Sequence, residues 1–269
     1  MPFSFPWGRF LVRSALVRRT VLTASAVSLT LLATACGSDK ADKADAKPDA
    51  KPSAPASSAA PAAKGKTDAE LVKLLVTQAD LADHTFKDST PAEAAAGATA
   101  TSDKPECKVL VQAQAFVPAG TPSGTARTKA VATPKPAAEG ASPEDAAKAI
   151  VGALGSTATT VTLASYEGKG AEEAFAAVKT AGEKCAGGYS ATQDGETTKI
   201  TKAAPGAAVT AGDEALPLTI ELDVDGDKLT TQLILVRKGN TVATFSSLSL
   251  SGTAEQPKAL VEAQAKKLG

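Results

Sequence analysis

The clearest pattern along this chain is an alternation of apolar and polar positions in its last third. Leu216, Leu218, Ile220, Leu222 and Val224 alternate with Pro217, Thr219, Glu221 and Asp223. At two residues per repeat, this gathers the apolar side chains on one face of a β-strand and leaves the other face to water. Asp225-Gly226 follows, a pair that tolerates the positive φ of a tight hairpin turn. The return strand runs from Lys228 to Arg237, and Lys238-Gly239-Asn240 turns the chain into a third strand, Thr241 to Leu250. There the apolar phase slips between Phe245 and Leu248, which predicts a β-bulge near Ser246-Ser247. Gly188 to Thr192 and Thr197 to Ala203, joined through Asp194-Gly195, predict a further hairpin.

Elsewhere the period is helical. Thr67-Asp68-Ala69-Glu70 is a capping box ahead of Leu71, Leu74 and Leu75, so the folded part opens with a helix. Val76 to Phe86 is expected to be a short turn running into a strand, and the small, polar stretch Asp88 to Lys104 to be a loop. A helix starts at Pro105-Glu106, with Cys107, Leu110, Val111 and Gln114 on one side. Ala115 to Ala141 is rich in Pro, Gly, Thr and Ala, with one strand near Ala126 to Ala132. Ser142-Pro143 is a helix start with Ser as N-cap and Pro at the first position, and that helix runs to about Leu154. Thr159 to Tyr166 is a strand by its Thr content. A helix from Ala171 carries Phe175, Val178, Gly182 and Cys185 on one side, and Pro257 opens a closing helix with Leu260, Val261, Gln264 and Leu268. The fold class is α+β: an antiparallel β-sheet with helices packed on one face.

The amino terminus follows a different logic. Arg9, Arg13, Arg18 and Arg19 precede Val21 to Thr34, an uncharged apolar run of 14 residues, shorter than the ~20 needed to span a bilayer. Leu31-Leu32-Ala33-Thr34-Ala35-Cys36-Gly37 then has the form of a lipobox, so residues 1–35 are predicted to be a lipoprotein signal peptide and Cys36 the lipidated residue. An ordinary signal cleaved near Ala35, leaving Cys36 as a free thiol, is the competing reading. The general secretory route is the expected one, since Val17 and Val21 depart from the twin-arginine pattern around Arg18-Arg19. Gly37 to Lys66 is mostly Ala, Lys, Asp, Pro and Ser without a large apolar residue. Nothing there offsets the ~1–2 kcal/mol per residue of backbone entropy lost on folding, so residues 36–66 form a disordered tether. Residues 67–269 suffice for one buried core.

Composition narrows the function classes. Loss of the four leader arginines would leave 25 basic residues against 29 acidic ones, with Arg127 and Arg237 as the surviving arginines. That even, mildly acidic scatter is no nucleic-acid footprint. The mature chain would also lack Trp and Met, and with them much of the usual anchoring chemistry of tight interfaces.

The chemistry-bearing residues are few. With Cys36 acylated, Cys107 and Cys185 remain as a pair in an oxidising compartment, and the simplest pairing is one disulfide between two helices. A zinc site and a redox pair compete with it, although zinc wants four ligands and a redox pair is more often Cys-x-x-Cys. His84 is the single histidine, so any Ser-His-Asp or Cys-His relay must use it. Asp223-Val224-Asp225-Gly226-Asp227 has the look of a calcium loop, but Lys228 stands where Gly is needed and Ile234 where the bidentate Glu is needed. Gly168-Lys169-Gly170 lies between a strand and a helix with Glu173 in place of a third Gly. Arg237 beside Lys238 offers an anion contact at a sheet edge, against the plainer role of a solvated hairpin. No metal and no cofactor is implied.

Several short motifs occur in a telling order: Leu74 to Leu81 (Leu-Leu-Val-Thr-Gln-Ala-Asp-Leu), Pro105-x-Cys107, Lys184-Cys185, Gly212-Asp213-Glu214, Val236-Arg237-Lys238-Gly239-Asn240, and Leu260-Val261-x-x-Gln264. In this they resemble the PknH-like extracellular domain, the sensor-type domain of actinobacterial receptor Ser/Thr kinases and of many freestanding actinobacterial lipoproteins. The likeness covers most of residues 67–269. This chain departs from the pattern in lacking the cysteines for the kinase sensor's second disulfide and in having His84-Thr85-Phe86 where Gly-Tyr is usual. The resemblance implies an open α/β sandwich with a cleft for an unidentified ligand and, by analogy alone, a binding role.

Three functions follow as expectations. The first is a non-catalytic, ligand-binding or sensor-like lipoprotein on the extracytoplasmic face of the cell membrane, a monomer whose ligand is a small molecule, a lipid or a cell-wall component. The second is a carrier of an amphiphile, which needs an enclosed apolar cavity. The third is an envelope hydrolase built on an Asp/Glu pair.

Overall fold

The computed structural model describes residues 64–133, 138–154, 156–249 and 252–269, all within one compact unit, Ser58–Gly269. The predicted signal, Cys36 and the tether up to residue 63 lie outside the described residues. Among the described residues, nine strands form one antiparallel sheet, in the order β1-β3-β4-β9-β8-β7-β6-β5-β2. They are β1 (His84–Asp88), β2 (Thr101–Ser102), β3 (Gly124–Ala132), β4 (Ala158–Ser165), β5 (Tyr189–Gln193), β6 (Glu196–Pro205), β7 (Glu214–Val224), β8 (Asp227–Lys238) and β9 (Thr241–Leu248). The helices are α1 (Asp68–Leu74), α2 (Pro91–Ala98), α3 (Lys108–Gln114), α4 (Pro143–Leu154), α5 (Gly170–Lys184) and α6 (Lys258–Leu268). The α+β class and the antiparallel sheet therefore stand as expected.

Helices cover both faces of the sheet, however, rather than one. In β8, Leu233 and Leu235 belong to a core with Leu110 and Val111 of α3 and Phe175 and Val178 of α5. Their neighbours Ile234 and Val236 belong to a second core with Leu71 of α1 and Leu260 and Val261 of α6. Because successive side chains of a strand point to opposite faces, these two cores lie on opposite sides of the sheet. The run Leu233-Ile234-Leu235-Val236 is continuous for that reason, as in strands buried on both faces.

β9 does not carry the expected bulge. Its register is unbroken against β4 from Thr241 to Leu248 and against β8 from Thr241 to Ser247. Val242 points to the α3/α5 side, and Ala243 and Phe245 to the α1/α6 side. Ser247, on the latter face, is buried and hydrogen-bonds Thr159 across the strands at 2.8 Å. The apolar phase slips because burial and polarity part company at the end of the strand: Ser247 is buried through this hydrogen bond, whereas Leu248 on the opposite face is 45% exposed. The register shift falls instead in β6, between Ile200 and Lys202. Two hairpin tips are as expected, with Asp194 and Gly195 at φ 52 and 84° and Asp225 and Gly226 at φ 54 and 92°.

The expected loop Asp88 to Lys104 holds α2 and β2. Thr90 and Glu93 cap α2 reciprocally, and the Glu93 carboxylate also pairs with Lys129 of β3. Gly97 lets this helix close onto α3, since a Cβ there would meet the Ala115 carbonyl oxygen at 2.0 Å. Cys107 lies in a 3₁₀ turn, Pro105–Cys107, ahead of α3 rather than inside the helix, and Cys185 is the residue that ends α5. They form a disulfide with a Cα–Cα distance of 5.8 Å, both fully buried.

Two polar anchors position the chain ends. Gln264 of α6 is fully buried among apolar neighbours. Its Oε1 accepts from the Val76 N–H at 3.0 Å and its Nε2 donates to the Leu74 carbonyl at 2.8 Å, satisfying backbone groups where α1 ends. At the entry to the domain, the Lys66 N–H donates to Ser165 Oγ at 3.0 Å and Asn240 Nδ2 donates to the Lys64 carbonyl at 2.7 Å. The last residues of the expected tether are thus held at the Ser165 end of β4.

Candidate functional site

On the α3/α5 side the helices fit the sheet closely. The enclosed space between Ala113, Ala164, Tyr166, Val178 and Val242 amounts to about 10 Å³, room for about one water. Tyr166 donates its hydroxyl to the Ala119 carbonyl at 2.7 Å, and burial pushes the phenol up to about 12. That space is far too small for an acyl chain.

The roomier concavity is open and runs along α6. One basin of about 280 Å³ is lined by His84, Ala130, Ala132, Thr157, Thr159 and the segment Glu255 to Leu260. A second of about 280 Å³ is lined by Asp80, Leu81, Ala259, Glu262, Ala263 and Lys266. They share Ala259. The gap has a simple origin in the sequence. Ala259 and Ala263 lie four apart on one flank of α6, and Ala130 and Ala132 point the same way from β3. Four methyl groups leave unfilled the space that larger side chains would occupy.

The polar groups around this groove come from separate elements. His84 reaches it from β1, its side chain 13% exposed and its Nδ1 2.8 Å from Asp83 Oδ1. Gln256 donates Nε2 to the Ala207 carbonyl at 2.8 Å, and its buried Oε1 has no partner. The Glu255 N–H donates to Thr157 Oγ1 at 3.1 Å, which fixes the start of the approach to α6. Lys258 and Glu255 are exposed at the rim. Asp80 borders the second basin, where the Lys267 ammonium and the Thr77 hydroxyl and N–H hold its carboxyl down at about 2.

At the second basin the Thr77 hydroxyl donates to Asp80 Oδ2 at 2.8 Å, a carboxylate that Lys267 holds ionised; at the first, β3 separates the Thr159 hydroxyl from His84, which pairs with Ala132 while Thr159 pairs with Ala130. Two strand spacings and a two-residue offset put their Cα atoms about 12 Å apart, too far for a relay. A glycosidase-type acid needs a raised pKa, and Asp80 is shifted the other way.

The other sequence candidates have structural employment. Asp223 Oδ1 accepts from the Gly226 N–H at 2.9 Å and so shapes the β7–β8 tip. Among the described residues, no group of three His, Cys, Asp or Glu side chains is arranged to hold a metal. Gly168-Lys169-Gly170 turns β4 into α5, with Gly170 against the Tyr166 ring, in an antiparallel sheet. Arg237 is held by Glu214 at 2.5 and 3.0 Å and by the Gly239 carbonyl at 3.2 Å, and Lys238 pairs with Asp213 at 3.2 Å. Acids of the same chain already meet both cations. The lining of the α6 groove itself, Thr157, Gln256 and Lys258 included, is marked in the sequence by nothing beyond the Ala259/Ala263 spacing.

No protein-family model matches this chain, and no curated protein matches it in sequence. Among solved structures, it is similar to the extracellular domain of PknH from Mycobacterium tuberculosis. The match covers 76% of this chain and 95% of that one, with 15% identical residues and a TM-score of 0.39.

Proposed function

We propose that this protein is an extracytoplasmic lipoprotein, anchored through Cys36, whose domain binds a ligand without transforming it. The observation that carries the binding role is the open groove along α6, a concavity of alanine walls bordered by polar groups from separate elements. Its size and mixed lining suit a short polar or amphiphilic segment such as a piece of a cell-wall polymer. The leader pattern ahead of Cys36 and the buried disulfide support an oxidising location outside the cytoplasm. The groove opens beside the start of β4, at Thr157 and Thr159, whereas Lys66 enters the domain beside Ser165 at the other end of that strand. Over a strand of this length the two points are about 20 Å or more apart, so a tethered domain would present the groove away from its attachment.

Native mass spectrometry of protein purified from its own host tests the binding role. Wild-type material is expected to retain a small molecule, and Ala259→Trp, which places an indole where the two basins meet, is expected to lose it. Equal occupancy in the variant, or no retained molecule in the wild type, refutes the groove as the site. Anchoring is tested separately by intact mass and detergent-phase partitioning; an unmodified thiol at Cys36 in a fully water-soluble product refutes it.

A further inference from the structure

The sheet face that carries α3 and α5 is apolar over only half its width. Across β7 and β8 it presents Leu216, Leu218, Ile220, Leu233 and Leu235. Toward β1 it becomes polar. One row crosses Lys87, Lys129, Thr160 and Ser246, and the next crosses Arg127, Thr162 and Thr244, each residue paired with its neighbour in the register of β1, β3, β4 and β9. A sheet face turned toward packed helices is ordinarily apolar, so a polar half requires an explanation.

Its charges are one-sided. Lys87, Arg127 and Lys129 are three cations on this face, and Glu93 of α2 neutralises Lys129 alone. Among the described residues Arg127 makes no ion pair. Its Nε donates to the Phe116 carbonyl at 2.9 Å, which the left-handed conformation of Phe116 (φ 66°) turns outward at the end of α3. That single bond leaves the Nη fork without a partner on a half-buried guanidinium, and burial holds the group's pKa below the ordinary arginine value, with Asp68 opposing only at longer range. Beside it, Thr162 is 2% exposed and its Oγ1 has no hydrogen-bond partner. Valine would fill the same shape without that cost. A buried free hydroxyl, a guanidinium fork lacking an acid and an unpaired lysine on the neighbouring strand form the donor set that holds an oxyanion.

We propose that Arg127, Lys87 and the Thr162 hydroxyl form a binding site for an oxyanion, a phosphate or carboxylate group of an envelope ligand. The site lies on the sheet face opposite the α6 groove, so its failure and the failure of the groove are separate outcomes. Isothermal titration of the purified full chain with sodium phosphate, and separately with sodium acetate, is run at constant ionic strength set by chloride. Saturable one-site binding is expected, and the tighter of the two anions identifies the group. Arg127→Met, which keeps the apolar stem, is expected to weaken binding tenfold or more, and Thr162→Val roughly three- to tenfold. If Arg127→Met does not fold, Arg127→Lys replaces it and is expected to weaken binding severalfold, because an ammonium lacks the planar fork. Absence of saturable binding of either anion to the wild type overturns the proposal. Unchanged affinity in the Arg127 variant also overturns it, as does a Thr162→Val variant that is more stable than the wild type yet binds as well.

Discussion

Replacing Gln264 by Leu tests how the two ends of the folded chain are held together. The side chain is fully buried, and it satisfies the Val76 N–H and the Leu74 carbonyl. Leucine has nearly the same volume but leaves both backbone groups without partners in a dry site. Each stranded group costs about 1–3 kcal/mol, and the gain from burying a more apolar side chain offsets about 1 kcal/mol of the total. A net loss of about 3 kcal/mol is expected, or roughly 6–12 °C in Tm for a domain of this size. Urea unfolding under non-reducing conditions should show a lower midpoint at unchanged m. Gln264→Glu sharpens the test. Its carboxyl can donate to the Leu74 carbonyl only when protonated, so burial raises its folded pKa above the unfolded value. The variant should then be least stable at pH 7 and recover as pH falls toward 4. A loss below about 1 kcal/mol for Gln264→Leu, or a Gln264→Glu variant indifferent to pH, would refute this account of the α1–α6 junction.

Other outcomes follow from the same structure. Cys107 and Cys185 are 78 residues apart in sequence, so their bridge restricts the unfolded chain by about 4.5 kcal/mol in the loop-entropy model. The Cys107→Ser/Cys185→Ser variant should lose about 2–5 kcal/mol in urea unfolding, and native protein should not react with a thiol reagent at these positions. Asp80 and Glu93 are each held down to about 2, chiefly by Lys267 and Lys129 respectively. Their folded pKa values lie below the unfolded ones, so what they contribute is present above about pH 4 and lost as pH falls toward 2. The urea midpoint should drop across that window, less steeply in Asp80→Asn and Glu93→Gln. Gly188 has φ 88°, and a Cβ there would meet the Ile200 and Thr201 carbonyl oxygens at 2.6 and 2.8 Å. Gly188→Ala should therefore cost about 2 kcal/mol or more, read from the same unfolding curves.

Much of the architecture is legible wherever a side chain has only one dry direction. The β7–β8 hairpin, the capping box at Thr67 and the Ser142-Pro143 helix start all announce themselves through local rules. Where a segment faces two cores or none, those rules fail. The apolar sequence of β9 slips phase because a polar residue, Ser247, is buried against Thr159 from the neighbouring strand while Leu248 is left exposed. Ala92 to Ala98 lacks any large apolar residue to mark a period, so α2 is legible only from its caps at Thr90 and Glu93, and Lys129 from a distant strand helps to hold it. Gln264 looks like one more position on an apolar stripe until the backbone groups it satisfies, almost two hundred residues away in sequence, are brought to it.

The sequence alone determined the fold class, the strands of the carboxyl-terminal third, the expectation of a lipidated leader and the pairing of the two remaining cysteines, because each depends on periodicity, on caps or on counting. Tertiary structure alone decided where space is left and which polar groups border it. His84, Ala130, Thr159 and Gln256 come from four stretches of chain that share no local pattern. Arg127 and Thr162 become neighbours only through the β3–β4 register. A concavity depends on which side chains are too small to fill the gap between elements, and that is settled only when the elements meet.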